Sequence, residues 1–562
     1  MKCLIIVIRF QQLLDDDPKA GKANFNYNIP IGLAYISAFL KQNGHEVQFL
    51  NLNHCDGIVE ELIKDRFSKE SYDFVITGGI SPFYPDVKNC VDSVRRCSPS
   101  TRIILGGGLI SSQPEIMFNL LQPDYGVIGE GELTIKELFE CLENKEDINT
   151  VNGLIFRNTD GQIILTKPRD SINNLDLLPW PDYEGLGFDE YLDHMLPSDD
   201  ELLDVFDNPR IYPMISSRSC PFACTFCYHP LGNKYRQRSV SNIIEEIKYV
   251  VIKYKINIIH FYDELFAQNK DRLSDLCKDI KEFSSTIPWE LKWVCQSRVD
   301  FLDENVVREM KDAGCYFFGM GLESYSATVL KSMKKNITPN QIDNALHICK
   351  RVGISVLGNF IFGDIAETKE TYRETLRYWK DNQDLIGGSI SLGHVFLYQG
   401  SHIYKHAVKK GIIKDEIQFI EERAKHDYLN FPINFTDGMT DEEYQQMTED
   451  IWEANVPKYY AIPLVNIQTK DIHEIHVRCP FCKEITVYKN YHISPDFARK
   501  GICCRKCRSR FIMPGKKLRL KLFAIHLFGF RTLYHVSHWI YDLSDHLPFN
   551  MKIKIKKILQ ND

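Results

Sequence analysis

The first 145 residues alternate short apolar runs with amphipathic stretches, and this alternation restricts the fold more than any other feature of the sequence. The apolar run CLIIVI is followed by IGLAYISAFLKQNG, whose apolar residues recur at helical spacing until Gly44. Further apolar runs, separated by helical patterns, are EVQFLNL, DFVITGG, RIILGGG and YGVIGEGE. Strands that alternate with helices predict an α/β fold, with a doubly wound flavodoxin- or Rossmann-like parallel sheet over residues 1–145.

Glycine-bearing loops follow three of these predicted strands, at residues 77–81, 106–111 and 129–132. The carboxyl ends of parallel strands meet at one edge of the sheet, and ligands of such sheets bind beyond that edge. A single glycine loop can serve only to close a tight turn, but three at one edge favour ligand binding. No G-x-G-x-x-G opens the first helix, which disfavours a dinucleotide. The candidate contacts for a large flat ligand are Thr77, Gly78, Gly79, Ser81, Gly106, Gly107, Gly108, Gly129 and Glu130.

A second β/α series begins after residues 146–210, a stretch rich in proline, glycine and acidic residues that we interpret as a linker. Six apolar runs over residues 211–405 predict a partial or full β/α barrel of the TIM type. Active sites of such barrels lie at the carboxyl ends of the strands. The sequence places these polar residues there: Asp263, Glu264, Arg298, Glu323 and Ser324.

Three cysteines stand directly after the first strand of this series, Cys220, Cys224 and Cys227, in the pattern C-x3-C-x2-C. Four-iron clusters normally take four cysteines, so three thiolates leave one iron open to a substrate or cofactor. A zinc site would have to recruit His229, whose position two residues after Cys227 is geometrically unfavourable.

The chain has 17 cysteines. We expect them in a reducing cytoplasm, where spaced clusters indicate metal sites, whereas singly placed cysteines indicate core residues.

The cysteine pattern, with the aromatic Phe226 before the last cysteine at the end of a first barrel strand, resembles the radical S-adenosylmethionine superfamily. The resemblance implies that Cys220, Cys224 and Cys227 hold a [4Fe–4S] cluster and that S-adenosylmethionine binds the open iron. One electron would then release a 5′-deoxyadenosyl radical.

The same resemblance extends to the other strand ends. It implies that the YDE segment with Asp263 and Glu264 takes the methionine amino group. Arg298 would take the carboxylate, and Glu323 in the GLES segment, beside Ser324, would contact the ribose. The segment GNFIFGDIAET resembles the adenine-side motif, except that Ile-Ala replaces the usual Pro-Gly before Glu367.

A flavodoxin-like domain directly before such a barrel is similar to the cobalamin-binding members of this superfamily. The resemblance implies cobalamin, with its nucleotide tail among the three glycine loops. The D-x-H-x-x-G motif, which supplies a histidine to cobalt in other corrinoid proteins, is absent after the first strand. We interpret His45 and His54 as surface residues, so cobalt would have no protein imidazole ligand.

A second cysteine pattern follows a predicted helical extension at residues 406–470. Cys479, Cys482, Cys504 and Cys507 form C-x2-C-x21-C-x2-C, which predicts a zinc-ribbon-like module over residues 471–515. An auxiliary iron–sulfur cluster or a rubredoxin-like iron fits the same ligands, and Cys503 could replace Cys504. The basic residues here indicate either a solvated face or an anionic partner: Arg499, Lys500, Arg505, Lys506, Arg508 and Arg510.

The last segment, residues 516–562, carries nine Lys/Arg against three Asp/Glu and mixes aromatic with apolar residues. It predicts either a helical hairpin packed on the barrel or a helix at a membrane surface.

The net charge of −7 argues against nucleic acid as the main partner. The short apolar run at the N-terminus predicts neither a membrane span nor a signal peptide. We therefore expect a cytoplasmic protein, with peripheral membrane contact as the second interpretation.

These features together predict a cobalamin-dependent radical S-adenosylmethionine enzyme. The leading hypothesis is a methyltransferase acting on an unactivated carbon or a phosphinate of a small molecule or biosynthetic intermediate. Its reductant would be a flavodoxin or ferredoxin. A second hypothesis keeps both cofactors but produces ring closure, rearrangement or oxygen insertion. A third, from another class, is a metal-bound protein that binds nucleic acid or a partner through the C-terminal ribbon.

Overall fold

Two parallel α/β sheets, each covered by helices, form most of the protein. The structure is a computed structural model that describes residues 1–9, 21–386, 390–425, 432–493 and 499–533. The part of the predicted C-terminal segment beyond residue 533 lies outside the described residues.

The first sheet has the strand order β2-β1-β3-β4-β5-β6-β7, with β1 to β5 parallel. The order 2-1-3-4-5 is that of flavodoxin-like folds, which confirms the predicted fold class. Its strands are β1 Lys2–Val7, β2 Glu46–Asn51, β3 Phe74–Gly78, β4 Arg102–Gly106, β5 Tyr125–Val127, β6 Leu154–Arg157 and β7 Ile163–Leu165. Its helices are α1 Ile31–Gln42, α2 Val59–Lys69, α3 Tyr84–Cys97, α4 Gly108–Ser112, α5 Pro114–Leu121 and α6 Gly131–Asn144.

The first sheet continues beyond residue 145, into the segment that the sequence assigns to a linker. Strands β6 and β7 add an antiparallel hairpin to its edge. The stretch LIFRNTDGQIIL carries a turn sequence between two short apolar runs, and this local signal could have predicted the hairpin. The rest of the segment contains the short helix α7 Phe188–Asp193.

The second sheet is a half-barrel of six parallel strands in the order β15-β14-β13-β12-β11-β8. The partial barrel is therefore the correct alternative. Its strands, with a small hairpin of β9 and β10, are β8 Ile211–Met214, β9 Ser217–Arg218, β10 Arg236–Gln237, β11 Ile258–Phe261, β12 Lys292–Ser297, β13 Cys315–Glu323, β14 Ser355–Phe362 and β15 Ile390–His394. The helices that cover it are α8 Val240–Tyr254, α9 Lys270–Ser284, α10 Glu304–Asp312, α11 Ala327–Ser332, α12 Pro339–Val352, α13 Lys369–Asp381 and α14 Gln383–Ile386.

Helix α12 shows how local sequence sets the covering helices. Thr338 caps its first turn and exchanges hydrogen bonds with Gln341, with Pro339 at the first helical position. Gly353 ends the helix at φ +80°, a conformation that glycine adopts without a Cβ penalty.

The half-barrel strands turn alternate residues to opposite faces, as any strand does. Ile259 and Phe261 pack with the covering helices in the largest apolar core. His260 lies between these two residues and faces the inside of the half-barrel. Gln296 of β12, Asn359 of β14 and Ser391 of β15 face the same side. These three are exposed, so the inner face is open to solvent.

The connection before the half-barrel closes the amino ends of its strands. Leu202, Leu203 and Val205 are buried with Ile258 and Phe317 in one apolar cluster. This end of the half-barrel is therefore filled by side chains. The carboxyl ends, where the predicted site residues lie, are left for ligands.

The C-terminal region begins with three helices, α15 His402–Lys409, α16 Glu416–Lys425 and α17 Asp441–Ala454. A ribbon of two small sheets follows and starts at Val465, earlier than the sequence places it. Its strands are β16 Val465–Thr469, β17 Ile472–Arg478, β18 Ile485–His492, β19 Arg499–Cys503 and β20 Arg510–Pro514. Helix α18, Lys516–Phe528, comes last. Across the described residues, every helix is too short or too polar to cross a membrane.

Candidate active site between the two sheets

The three-cysteine loop, residues 219–230, leaves the carboxyl end of the half-barrel's first strand. The buried Asp263 anchors its base, since its carboxylate accepts bonds from the Ser216 amide at 2.7 Å and the Ser217 hydroxyl at 2.8 Å. Farther along, the Thr225 amide donates to the Met333 carbonyl at 3.0 Å. The loop is thus held to the barrel at its base and at Thr225.

Two buried cations lie beside the cysteines. Cys224 is buried, whereas Cys220 and Cys227 are half-buried. The neighbouring Cys227 thiol, followed by the Lys335 ammonium and the Arg298 guanidinium, lowers the pKa of Cys224 to about 6. Positive charge next to Cys224 favours its thiolate, which is the form that binds iron.

Lys335 is a site residue that the sequence does not reveal. It is buried, and its ammonium donates to the Glu323 carboxylate at 2.7 Å. Glu323 ends β13 at φ +61°, an uncommon backbone conformation for a residue other than glycine and one found often at functional sites. No motif marks Lys335 among the 68 lysines and arginines of the chain, and only the fold brings it to the cysteines.

Arg298 and Glu264 also lie at this rim. The Arg298 guanidinium stacks on the Phe222 ring at 3.6 Å and donates to the Asp300 carboxylate and to the Lys335 carbonyl. The Glu264 carboxylate lies 3.4 Å from Nδ1 of His229, so this histidine is next to a carboxylate.

Ser324, the last polar residue predicted at this rim, is buried. Its hydroxyl lies 3.1 Å from the Thr375 hydroxyl and accepts the Ser326 amide. The hydrogen bonds of Ser324, like those of Asp263, are made within the protein, so both residues support the rim rather than point a free group at a ligand.

The segment that resembles the adenine-side motif lies at the end of β14. Glu367 is buried, and burial raises its pKa to about 7 although the Thr371 hydroxyl and the Gly363 amide donate to it. Phe226, Ile361 and Ile365 pack against the same apolar cluster. The cysteine loop and the end of β14 therefore share one cluster.

At the first sheet, the glycine loops after β3 and β4 pack directly on each other. A Cβ on Gly78 would lie 2.3 Å from the Gly106 carbonyl oxygen, and one on Gly107, at φ +83°, would lie 2.8 Å from the Gly79 oxygen. A Cβ on Gly106 would meet no atom of the described residues within 4 Å. Gly78 and Gly107 thus permit a close approach of backbone, and Gly106 leaves open space at the edge.

The other residues predicted at this edge differ in their surroundings. The Thr77 hydroxyl is buried and donates to the Ile6 carbonyl of β1. Ser81 is half-buried at the start of the next helical turn, and its neighbour Ile80 is 50% exposed. An exposed apolar side chain and bare glycine backbone suit the face of a large flat ligand.

The two histidines that the sequence assigns to the surface lie at opposite ends of β2. His45 precedes β2 at the opposite end of the sheet and lies against the Phe139 ring. The prediction that His54 is a surface residue is wrong: its side chain is only 7% exposed, and its ring packs on Phe25 and bonds to the Tyr27 hydroxyl at 2.9 Å. Its pKa is lowered, chiefly by burial. The sequence could not show that residues 25 and 27 fold over it.

The carboxyl edges of the two sheets face each other. A Cβ on Gly108 would be 3.9 Å from the Tyr228 ring of the cysteine loop, and one on Gly129 would be 4.0 Å from the Pro230 carbonyl. The glycine loops of the first sheet and the cysteine loop of the half-barrel therefore border one shared space.

A buried ion network crosses this boundary. The Glu130 carboxylate accepts bonds from Arg218 at 2.8 Å, from Arg236 at 2.7 Å and from the Ile172 amide at 2.7 Å. Arg218 also donates to Glu132 at 2.6 Å. Burial alone would raise the pKa of Glu130, but Arg218 and the other donors hold it below its ordinary value. The carboxylate of Glu130, a predicted cofactor contact, is thus engaged with the barrel.

The residues present fit the cofactors that the sequence implies. Three cysteines on one loop beside two buried cations suit an iron–sulfur cluster and the carboxylate of S-adenosylmethionine. The glycine edge, where a Cβ on Gly106 would meet no side chain or backbone of the part that the structure describes, suits a corrin ring that approaches backbone. The remaining candidate ligands, Cys479, Cys482, Cys504 and Cys507, gather separately in the C-terminal ribbon with their sulfurs within 4.8 Å of one another.

Two known families match the two halves of this arrangement. Residues 24–139 match the B12 binding domain, and residues 214–378 match the Radical SAM superfamily. These ranges include the glycine edge, the three cysteines of the loop and the five polar residues predicted at the half-barrel rim.

Individual relatives agree with this assignment. The chain is 30% identical to an uncharacterized methyltransferase of Pyrococcus horikoshii over 392 residues, which are 68% of this chain and 79% of that protein. It is 25% identical to the anaerobic magnesium-protoporphyrin IX monomethyl ester cyclase of Rubrivivax gelatinosus over 366 residues, 63% of each chain. The solved structure of the radical S-adenosylmethionine methyltransferase TsrM from Kitasatospora setae shares the fold, with a TM-score of 0.62, 16% identity and coverage of 81% of this chain and 89% of that one.

The order of the two domains, the cysteine loop at the half-barrel rim and the relative with 30% identity lead to one assignment. The chain belongs to the radical SAM superfamily and is one of its enzymes that carry a B12 binding domain before the radical SAM domain.

Proposed function

We propose that this protein is a cobalamin-dependent radical S-adenosylmethionine methyltransferase. The observation that carries the proposal is that the three-cysteine loop of the half-barrel and the glycine edge of the B12 binding domain border one space. When bound there, the reduced cluster supplies the electron that cleaves S-adenosylmethionine, and cobalamin supplies the methyl group.

The protein's own residues then bind and orient these groups. Cys220, Cys224 and Cys227 hold the cluster. Lys335 and Arg298 place positive charge where the methionine carboxylate binds. The paired Glu323 at the end of β13 lies beside the ribose.

The inner face of the half-barrel is the proposed substrate site. The exposed Gln296, Asn359 and Ser391 line it, and the Asn359 carbonyl accepts a bond from the Ser391 hydroxyl. Amide and hydroxyl groups favour a small molecule with hydrogen-bonding groups of its own. The methyl acceptor is an unactivated carbon or a phosphinate. Such an acceptor is possible because abstraction of hydrogen by a radical needs no acidic proton.

Non-methylating chemistry on the same cofactors is the second candidate, and the similarity to a cyclase favours it. The third, a nucleic-acid or partner-binding protein, loses support because two of the ribbon's basic residues turn toward the rest of the protein. Arg505 and Arg510 contact the segment 201–207.

We also propose a cytoplasmic location and an electron donor such as a flavodoxin or ferredoxin. Contact with a membrane surface is proposed for helix α18. Its described side chains are half-buried or exposed, and Leu520, Phe523 and Phe528 are each more than 60% exposed.

Anaerobic reconstitution with iron, sulfide and cobalamin tests the proposed function. We expect reductive formation of 5′-deoxyadenosine, a cobalamin spectrum that stays with the protein, and transfer of label from methyl-labelled S-adenosylmethionine to a product. Cys224→Ala should abolish cleavage, whereas Cys55→Ala, a half-buried cysteine of the other domain, should not. If S-adenosylmethionine is cleaved but none of the extracts supplied as substrate yields a methyl-labelled product, the result would favour the cyclase-type alternative. Absence of cleavage with an intact cluster would favour a binding protein.

A further inference from the structure

The C-terminal ribbon contains two turns of the same construction, each carrying two cysteines. In the first, the Cys479 amide donates to the Glu484 carbonyl at 2.9 Å, and the Lys483 amide donates to the Cys479 carbonyl at 3.1 Å. In the second, the Cys504 amide donates to the Ser509 carbonyl, and the Arg508 amide donates to the Cys504 carbonyl, both at 2.9 Å.

The two turns also share a strained position. Lys483 and Arg508, each directly after the second cysteine of its turn, have φ of +66° and +62°. Neither residue is a glycine, so each turn holds an uncommon backbone conformation that needs a stabilising partner. The equivalence identifies Cys504, and not Cys503, as the third cysteine of the set.

The sulfur positions fit one metal ion. The Cys479 and Cys507 sulfurs are 3.7 Å apart, as are those of Cys482 and Cys504. Four thiolates at about 2.3 Å from a tetrahedral zinc lie about 3.8 Å from one another. In a four-iron cluster each thiolate binds a different iron, which places the sulfurs farther apart. The geometry therefore disfavours an auxiliary cluster.

Cys503 has a different position and function. Its thiol is buried and faces the Ser355 hydroxyl of β14 at 3.8 Å, and its amide donates to the buried Asp204 carboxylate at 2.7 Å. The neighbouring Arg505 donates to the Asp204 carbonyl at 2.8 Å. The second cysteine turn is thus joined to the half-barrel and to the connection that fills its amino end.

Arg510 extends this contact. It is buried, stacks over the Phe317 ring at 4.8 Å and donates to the Glu201 carbonyl at 2.6 Å. On the other side of the ribbon, the Lys350 ammonium of α12 donates to the Ser509 hydroxyl at 3.1 Å. Contacts on both sides hold the ribbon against the half-barrel.

A cavity of about 360 Å³ lies between the ribbon and the open side of the half-barrel, which is the side bounded by the edge strand β15. Leu357 and Ser391 line it from the half-barrel, and Lys500 and Gly501 line it from the ribbon. Ser391 also bonds to Asn359 on the inner face. The ribbon is therefore the outer wall of a space that reaches the inside of the half-barrel.

We propose that Cys479, Cys482, Cys504 and Cys507 bind one Zn²⁺ and that this ion holds the ribbon as the wall of the half-barrel's open side. Four thiolates around a divalent cation carry a net charge of −2, which Lys483 and Arg508 on the two turns offset. The ribbon has one small apolar cluster of its own, with Tyr488, Tyr491 and Phe511 among its members and Cys479 and Cys504 within it. Metal binding at these cysteines adds to the folding free energy of such a small module.

The test uses the full-length Cys220→Ala/Cys224→Ala/Cys227→Ala protein, so that the catalytic loop contributes no iron. Metal analysis after anaerobic purification should find about one zinc per chain and no acid-labile sulfide. Adding Cys482→Ser should remove the zinc, whereas adding Cys503→Ser should leave it. Replacement by Co²⁺ should give the absorption of a tetrahedral four-thiolate site.

Hydrogen exchange tests whether the bound zinc holds the ribbon against the half-barrel. In the Cys482→Ser protein, amides of residues 200–207 and 510–514 should exchange at least tenfold faster than in its parent. Lys506→Gln, an exposed change on the same turn, should leave both regions as protected as in the parent. Iron at the four cysteines, with or without sulfide, equal loss of zinc in the Cys503→Ser protein, or unchanged exchange at residues 200–207 after zinc loss would each overturn the proposal.

Discussion

The guanidinium of Arg218 donates to the Glu130 carboxylate at 2.8 Å, and both side chains are at least 90% buried. Arg218 stands two residues before Cys220, and Glu130 lies in a glycine loop of the B12 binding domain. This ion pair therefore joins the base of the cysteine loop to the edge that faces it. The spacing of the two proposed cofactor sites depends on the pair.

Replacing Glu130 by glutamine should destabilise the protein, because Arg218 and Arg236 would remain buried with less compensating charge. Removing one partner of a buried ion pair costs about 3–5 kcal/mol. We expect a clear fall in the thermal midpoint of the apoprotein. Glu60→Gln removes an exposed pair with Arg96 and should leave the midpoint nearly unchanged, because solvent screens such a pair.

The pH dependence should follow the lowered pKa of Glu130. A carboxyl group with a lowered pKa in the folded state stabilises that state above its ordinary pKa, and the contribution is lost as the pH falls toward the lowered value. The difference in midpoint between the parent and Glu130→Gln should narrow in acid. A constant difference from pH 7 to pH 3 would contradict this account.

Replacing Lys335 by glutamine should weaken the binding of S-adenosylmethionine by about tenfold or more. The change removes a buried positive charge beside the cysteines and leaves the Glu323 carboxylate unpaired, which repels the methionine carboxylate. Equilibrium dialysis of reconstituted protein measures the affinity, with iron content measured in parallel. Lys334→Gln alters the exposed neighbour, and equal affinities of the two variants would rule out this role for Lys335.

Two glycines of the cobalamin edge should respond in opposite ways. Gly106→Val fills open space at the edge, so the apoprotein should keep its thermal midpoint but bind cobalamin at least tenfold less tightly. Gly78→Ala would place a Cβ 2.3 Å from a carbonyl oxygen, so it should lower the midpoint itself. Spectroscopic titration with cobalamin measures the affinity. Parental affinity in Gly106→Val would place the ligand elsewhere.

Helix α18 should bind anionic vesicles. Its apolar side chains are exposed beside Lys516, Lys517 and Arg519, a combination that favours anionic membrane surfaces. The double change Leu520→Glu/Phe523→Glu should abolish co-sedimentation with phosphatidylserine-containing vesicles. Ile252→Glu, on an exposed apolar residue of α8, should not. Equal sedimentation of both variants would show that α18 makes no such contact.

Much of this fold was determined by sequence patterns of short range. The two β/α series follow from the period of apolar residues, which buries strands on both faces and helices on one. The three-cysteine loop, the glycine loops and the paired cysteine turns follow from spacing within a few residues. Because parallel strands end at one edge, even the common rim of Asp263, Arg298 and Glu323 could be predicted.

Tertiary structure alone decided which of these residues meet across long distances in the chain. It brought Lys335 to Cys224, used the Glu130 carboxylate to bind Arg218, and buried His54 under Phe25. It also placed Cys503 on the half-barrel and Cys504 in the metal set, although they are adjacent in sequence. Periodicity reports how each segment buries its own surface, whereas these pairings depend on how separate segments pack together, and no local pattern carries that information.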